Sequence, residues 1–124
     1  MQDGKHVILC VDDDPDLLDA LKLVLESNGY AMVPARSAAE GLTKFKESAP
    51  DLIIVDLMME EIDAGTRFVK ELQAMGNKAP IYMLSSVGDT MNLSMDTSEL
   101  GISGVFQKPI NNDHLLTILK QKLK

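Results

Sequence analysis

Apolar positions follow two different rhythms along the chain. Val7-Ile8-Leu9-Cys10-Val11 and Leu52-Ile53-Ile54-Val55 are apolar at every position and bounded by polar residues. Such runs mark strands covered on both faces, as in a parallel sheet sandwiched between helices. The same criterion predicts five strands: His6–Val11, Ala31–Pro34, Leu52–Val55, Ile81–Leu84 and Gly104–Gln107. Between them the apolar residues recur at helical spacing. Pro15 to Ser27 puts Leu17, Leu18, Leu21, Val24 and Leu25 on one stripe, and Asn28-Gly29 supplies a stop. Ser37 is the N-cap of a helix through about Glu47, with Glu40 placed for a capping box and Pro50 just beyond its end. Further helices are predicted over Ala64 to Met75, closed by Gly76-Asn77, and from near Asn112 with Leu115, Leu116, Leu119 and Leu123 on one face. Gly88 to Leu100, rich in Ser, Thr and Asp, reads as a marginal helix. Unbroken strand–helix alternation defines one parallel α/β domain over residues 1–124, with right-handed crossovers.

Composition agrees with this reading and removes several alternatives. A chain of 124 residues with 45% hydrophobic and 25% charged residues suits a soluble globular domain, and no apolar run is long enough to cross a bilayer. The N-terminus lacks a signal-peptide pattern, so a cytoplasmic location is expected. The net charge of −7 disfavours direct binding to nucleic acid and suits a protein that holds a divalent cation. Cys10 is the only cysteine and reads as a reduced core residue. His6 and His114 stand far apart without other soft ligands, too few for a zinc site.

The chemistry is expected at the carboxyl ends of the strands, where open parallel sheets bind ligands. Asp12, Asp13 and Asp14 follow the first strand directly, and Asp56 ends the third. If these strands are neighbours, their ends lie about 5 Å apart. Carboxylates crowded this closely repel one another unless a cation joins them. With oxygen the only donor on offer, a hard cation such as Mg²⁺ is the fitting occupant, with Mn²⁺ a second candidate. An EF-hand is ruled out, since Leu17 and Leu23 stand where that loop needs glycine and glutamate. N-capping by Asp14 accounts for one acid of the run and leaves Asp56 unexplained. Ser85 and Lys108 end strands on the same rim. Acids, a hydroxyl and a fixed cation together form a set suited to phosphoryl transfer, where positioning and charge neutralisation do the work.

Taken with their order and spacing, Val11-Asp12-Asp13-Asp14-Pro15, Asp51 to Met59, Pro80 to Ser85 and Lys108-Pro109 resemble the receiver domains of two-component response regulators. The resemblance covers essentially the whole chain. It implies a flavodoxin-like (βα)5 doubly wound sheet of strand order 2-1-3-4-5. It further implies that Asp56 is the phosphoacceptor, that Asp13 binds Mg²⁺ directly and Asp12 through water, and that the Met58 carbonyl completes the protein ligands. Ser85 and Lys108 would contact the phosphate, with a cis bond before Pro109. The implied partners are a sensor histidine kinase or phosphotransfer protein and a downstream target or fused output domain, with a phosphorylation-dependent homodimer also compatible. Neither nucleic acid nor membrane is an expected direct partner. The resemblance implies an output face made by the fourth helix, the fifth strand and the last helix, and in this chain the signal is expected to run mainly through the Gly88–Leu100 segment.

Four departures from the family pattern bear on function. Glu60-Glu61 replaces Pro-Gly, and Asp63-Ala64 replaces Asp-Gly, so the loop after Asp56 is more acidic. Val105 occupies the aromatic switch position, where it is expected to be a buried valine unable to flip, with Phe106 beside it. Met58 and Val87 flank the expected path of an attacking water and cannot orient it, which implies slow self-hydrolysis of a phosphoaspartate. A receiver-like interaction module that no longer uses phosphate is the alternative reading. A haloacid-dehalogenase-type hydrolase is disfavoured because Met58 stands where its second acid is needed.

Overall fold

A computed structural model describes residues 4–56, 64–85, 102–107 and 111–123. The elements follow in the order β1 (Val7–Val11), α1 (Pro15–Ser27), β2 (Ala31–Ala35), α2 (Ala38–Ser48), β3 (Leu52–Asp56), α3 (Ala64–Ala74), β4 (Ile81–Ser85), β5 (Gly104–Gln107) and α4 (Asn112–Lys122). Five parallel strands form one sheet of order β2-β1-β3-β4-β5, the doubly wound order expected. Strand and helix limits differ from the sequence reading by one residue at several ends. The Gly88–Leu100 helix lies outside the described residues, as does the loop carrying Glu60 and Glu61.

Local chemistry sets the helix ends. The Asp14 carboxylate accepts from the Asp16 N–H at 3.0 Å, and Pro15 occupies the first turn of α1. Gly29, at φ +88°, turns the chain back after Asn28. Ser37 Oγ accepts from Glu40 N at 3.1 Å, as predicted. The other arm of the capping box is displaced by one residue: Glu40 Oε1 takes the Arg36 N–H at 3.3 Å. Helix α2 ends on Ala49 in the left-handed region, at φ 46°. Nothing in the sequence announced that conformation for an alanine.

Alternation along each strand divides the core in two. Ile8, Cys10, Met32, Leu52, Ile54, Tyr82, Leu84 and Phe106 pack against Leu18, Leu21 and Leu25 of α1 and Leu115 and Leu119 of α4. Leu9, Val11, Ile53, Val55, Ile81 and Met83 pack against Phe68, Val69 and Leu72 of α3, with Leu42 and Phe45 of α2 alongside. Helix α2 approaches closely because Gly41 has no side chain: a Cβ there would meet the Phe68 ring at 2.9 Å and Val11 Cγ2 at 3.0 Å. Burial, with the Asp12 charge nearby, pushes the Cys10 thiol well up from its ordinary value.

One expectation about the core is overturned. Val105 is 36% exposed, whereas Phe106 is 3% exposed. Among the described residues β5 ends the sheet with β4 as its only strand neighbour, so cover on both faces is not guaranteed there. Phe106 takes the face covered by α1 and α4, and Val105 falls on the other.

At the amino ends of the strands, Asp51 ties β1 to β3. Its carboxylate accepts the Val7 N–H at 2.8 Å, and its own N–H donates to the Val7 carbonyl at 2.8 Å. His6 Nδ1 lies 3.8 Å from the same carboxylate. Burial pushes the Asp51 carboxyl up, but the Val7 N–H together with neighbouring positive charge outweighs it and holds it below its usual value. A depressed carboxylate stabilises the fold above its unfolded value, and that contribution disappears as pH falls through the folded one. Asp51→Asn is expected to lose about 1 kcal/mol at pH 7. In urea titrations the gap between the two proteins should narrow as the pH falls below the ordinary carboxylate value of about 3.9; a gap that stays constant would show that the charge contributes nothing.

Candidate cation and phosphoryl site

The sheet register brings the predicted acids together. β1 and β3 are adjacent, with Val11 opposite Val55, so the residues just beyond them meet at one rim. Carboxylate oxygens of Asp12, Asp13 and Asp56 all lie within 4.8 Å of one another. Asp12 is 1% exposed and Asp56 4% exposed, while Asp13 faces solvent. Asp12 is further held by local bonds. Its Oδ1 accepts the Asp14 N–H at 2.9 Å, and its own N–H donates to the Ala35 carbonyl at 3.0 Å.

Three convergent carboxylates, two of them buried, fit a hard divalent cation in donor type, and their oxygens are close enough to be drawn onto one ion. Octahedral Mg²⁺ has oxygen neighbours at 2.0–2.1 Å, so ligand oxygens about 3 to 4 Å apart suit it. The exposure of Asp13 leaves a route in for the ion and for a second reactant. Of the remaining predicted site residues, Ser85 is the last residue of β4, beside the β3 end that carries Asp56. Met58, Lys108 and Pro109 lie outside the described residues. The Asx turn from Asp12 to Asp14 went unnoticed in the sequence, although an aspartate two residues before a capped helix start is a usable signal.

Comparison with known proteins agrees with this arrangement. Residues 8–120 match the family described as the response regulator receiver domain. The transcriptional regulatory protein GlrR of Escherichia coli is 36% identical over 117 residues, covering 94% of this chain and 26% of that protein. The chemotaxis protein CheY of Bacillus subtilis is 32% identical over 119 residues, covering 95% of this chain and 98% of that protein. Among solved structures, a response regulator receiver domain protein from Clostridium thermocellum superimposes with a TM-score of 0.85 at 26% identity, over 95% of this chain and 94% of that one. The chain therefore belongs to the response-regulator receiver family, whose standard function is a phosphorylation-dependent switch. It spans about a quarter of the length of GlrR and nearly all of CheY. Among the described residues no helix is long and apolar enough to cross a membrane.

The carboxylate geometry makes a direct prediction about metal binding. Mg²⁺ at ten times its Kd should stabilise the wild type by about 1.4 kcal/mol, an upward Tm shift of a few degrees. Asp13→Asn and Asp56→Asn should each lose most of that increment. An equal Mg²⁺-dependent shift in all three proteins would place the cation elsewhere.

Proposed function

We propose that this chain is a phosphoryl-accepting switch with Asp56 as the acceptor. The observation that carries the reading is the three-carboxylate cup in which Asp56 is almost buried beside Asp12, with Asp13 open to solvent. The phosphoryl donor is a phosphohistidine on a sensor kinase or phosphotransfer protein, in the cytoplasm. An Asp56 carboxylate oxygen attacks phosphorus, the P–N bond breaks, and the imidazole leaves and takes up a proton.

Asp13, Asp56 and the Met58 carbonyl would hold Mg²⁺, with Asp12 acting through water; bound there, the ion supplies positive charge against the phosphoryl oxygens. Asp12 keeps its orientation through the Asp14 N–H, which limits the reorganisation needed on binding. Ser85 supplies a hydroxyl at the end of β4, and Lys108, before Pro109, supplies a fixed cation. A downstream target, or an output domain elsewhere in a longer protein, reads the result. The ligand can shift the equilibrium between two states only by its difference in affinity for them.

Acetyl phosphate with Mg²⁺ should add the mass of one phosphoryl group to the wild type and none to Asp56→Asn. No gain in either protein would favour the phosphate-independent interaction module. Self-hydrolysis is expected to be slow because Met58 and Val87 offer no group to orient water. Met58→Asn should shorten the phosphoaspartate half-life, followed by loss of the added mass. A wild-type half-life that is already short, and unchanged in Met58→Asn, contradicts this assignment.

A further inference from the structure

Strand β2 lies at one end of the sheet, with β1 as its only strand neighbour among the described residues. Its ladder to β1 uses alternate residues. The Ala31 N–H donates to the His6 carbonyl at 2.9 Å, and the Asp12 N–H donates to the Ala35 carbonyl at 3.0 Å. With Val7 opposite Ala31 and Val11 opposite Ala35, residues 31, 33 and 35 turn their N–H and C=O groups towards β1. Positions 30, 32, 34 and 36 therefore face outward, and an outward row of backbone groups is a template for another strand. Here most of its donors are engaged or missing. The Tyr30 N–H donates to the Leu25 carbonyl at 3.0 Å, at the end of α1. The Arg36 N–H donates to Glu40 Oε1 at 3.3 Å, the displaced arm of the capping box. Pro34 has no N–H. Only Met32 keeps a donor that meets no acceptor among the described residues.

We propose that Pro34 keeps this chain from joining its sheet, through β2, to that of a second copy. Two β2 edges related by a twofold axis at Val33 would set position 32 of one copy opposite position 34 of the other. In such an antiparallel pair the two positions exchange N–H···O bonds. Proline removes the bond donated from position 34 in both directions, and its ring stands where the hydrogen would point. The same axis sets position 30 opposite position 36, whose donors are already held inside the chain. The Met32 N–H is left to hold the edge alone. Nothing else in the strand opposes pairing, since Ala31 to Ala35 carries no charge and includes a valine. The barrier lies in the backbone, so it acts whether or not Asp56 carries a phosphoryl group.

Hydrogen exchange and sedimentation of the whole chain test this. In the wild type the Met32 amide should exchange about 100-fold faster than those of Val33 and Ala35, at every protein concentration. Pro34→Val supplies the missing donor on a residue that favours strands. Its sedimenting mass should climb towards twice that of the monomer as concentration rises, and its Met32 amide should slow in step. Pro34→Ala should behave likewise but associate more weakly. Adding Glu40→Ala to Pro34→Val frees the Arg36 N–H and should strengthen the association about five-fold. Glu40→Ala alone, with Pro34 in place, should keep a fast Met32 amide at every concentration while its Arg36 amide exchanges faster. A wild-type Met32 amide as slow as that of Val33 overturns the proposal. So does fast, concentration-independent Met32 exchange in both Pro34 variants, or slowing of Met32 with concentration in Glu40→Ala alone.

Discussion

Mutual repulsion among carboxylates at one rim of the sheet is the constraint around which this molecule is organised. Parallel pairing of β1 with β3 forces the acids after Val11 against the acid that ends β3. Burying two of them would be unfavourable in an uncharged apolar setting, because removing a carboxylate from water costs several kcal/mol. Local backbone donors answer part of that cost, as the Asp14 N–H does for Asp12. A divalent cation held there would answer more. The surrounding architecture then has a definite task, which is to keep the strand ends in register despite the charge.

That task is met from both layers and from the opposite rim. Leu18, Leu21 and Leu25 of α1 hold one face of the central strands, while Phe68, Val69 and Leu72 of α3 hold the other. At the amino ends, the Asp51 side chain closes a two-bond bracket with Val7 that fixes β3 against β1. Charge at one end is thus matched by hydrogen bonding at the other, and the apolar strands between them carry the alignment.

Much of this was legible in the sequence because it depends on short-range pattern. Strands buried on both faces leave uninterrupted apolar runs, and the leucines of α1 leave a stripe, so the alternation of elements followed; the strand order, and with it the meeting of Asp12, Asp13 and Asp56, was implied by the family resemblance. What escaped depends on contacts far apart in the chain or on position within the sheet. Val105 was misjudged because an apolar residue in a strand looks the same whether the strand is central or at an edge. The link between His6 and Asp51 joins residues 45 positions apart, and the ring contact between Phe106 and His114 exists only once α4 has docked. No local spacing encodes either.

The single thiol gains significance from where the fold puts it. Cys10 lies in the middle of the central strand pair, fully covered, and burial disfavours the thiolate that would react with an electrophile. Modification therefore waits for the layers to part, and the rate of alkylation becomes a clock for opening of the domain. Because the clock sits two residues before Asp12, its slowing under different cations would translate occupancy of the acidic rim into a lifetime of the closed sheet.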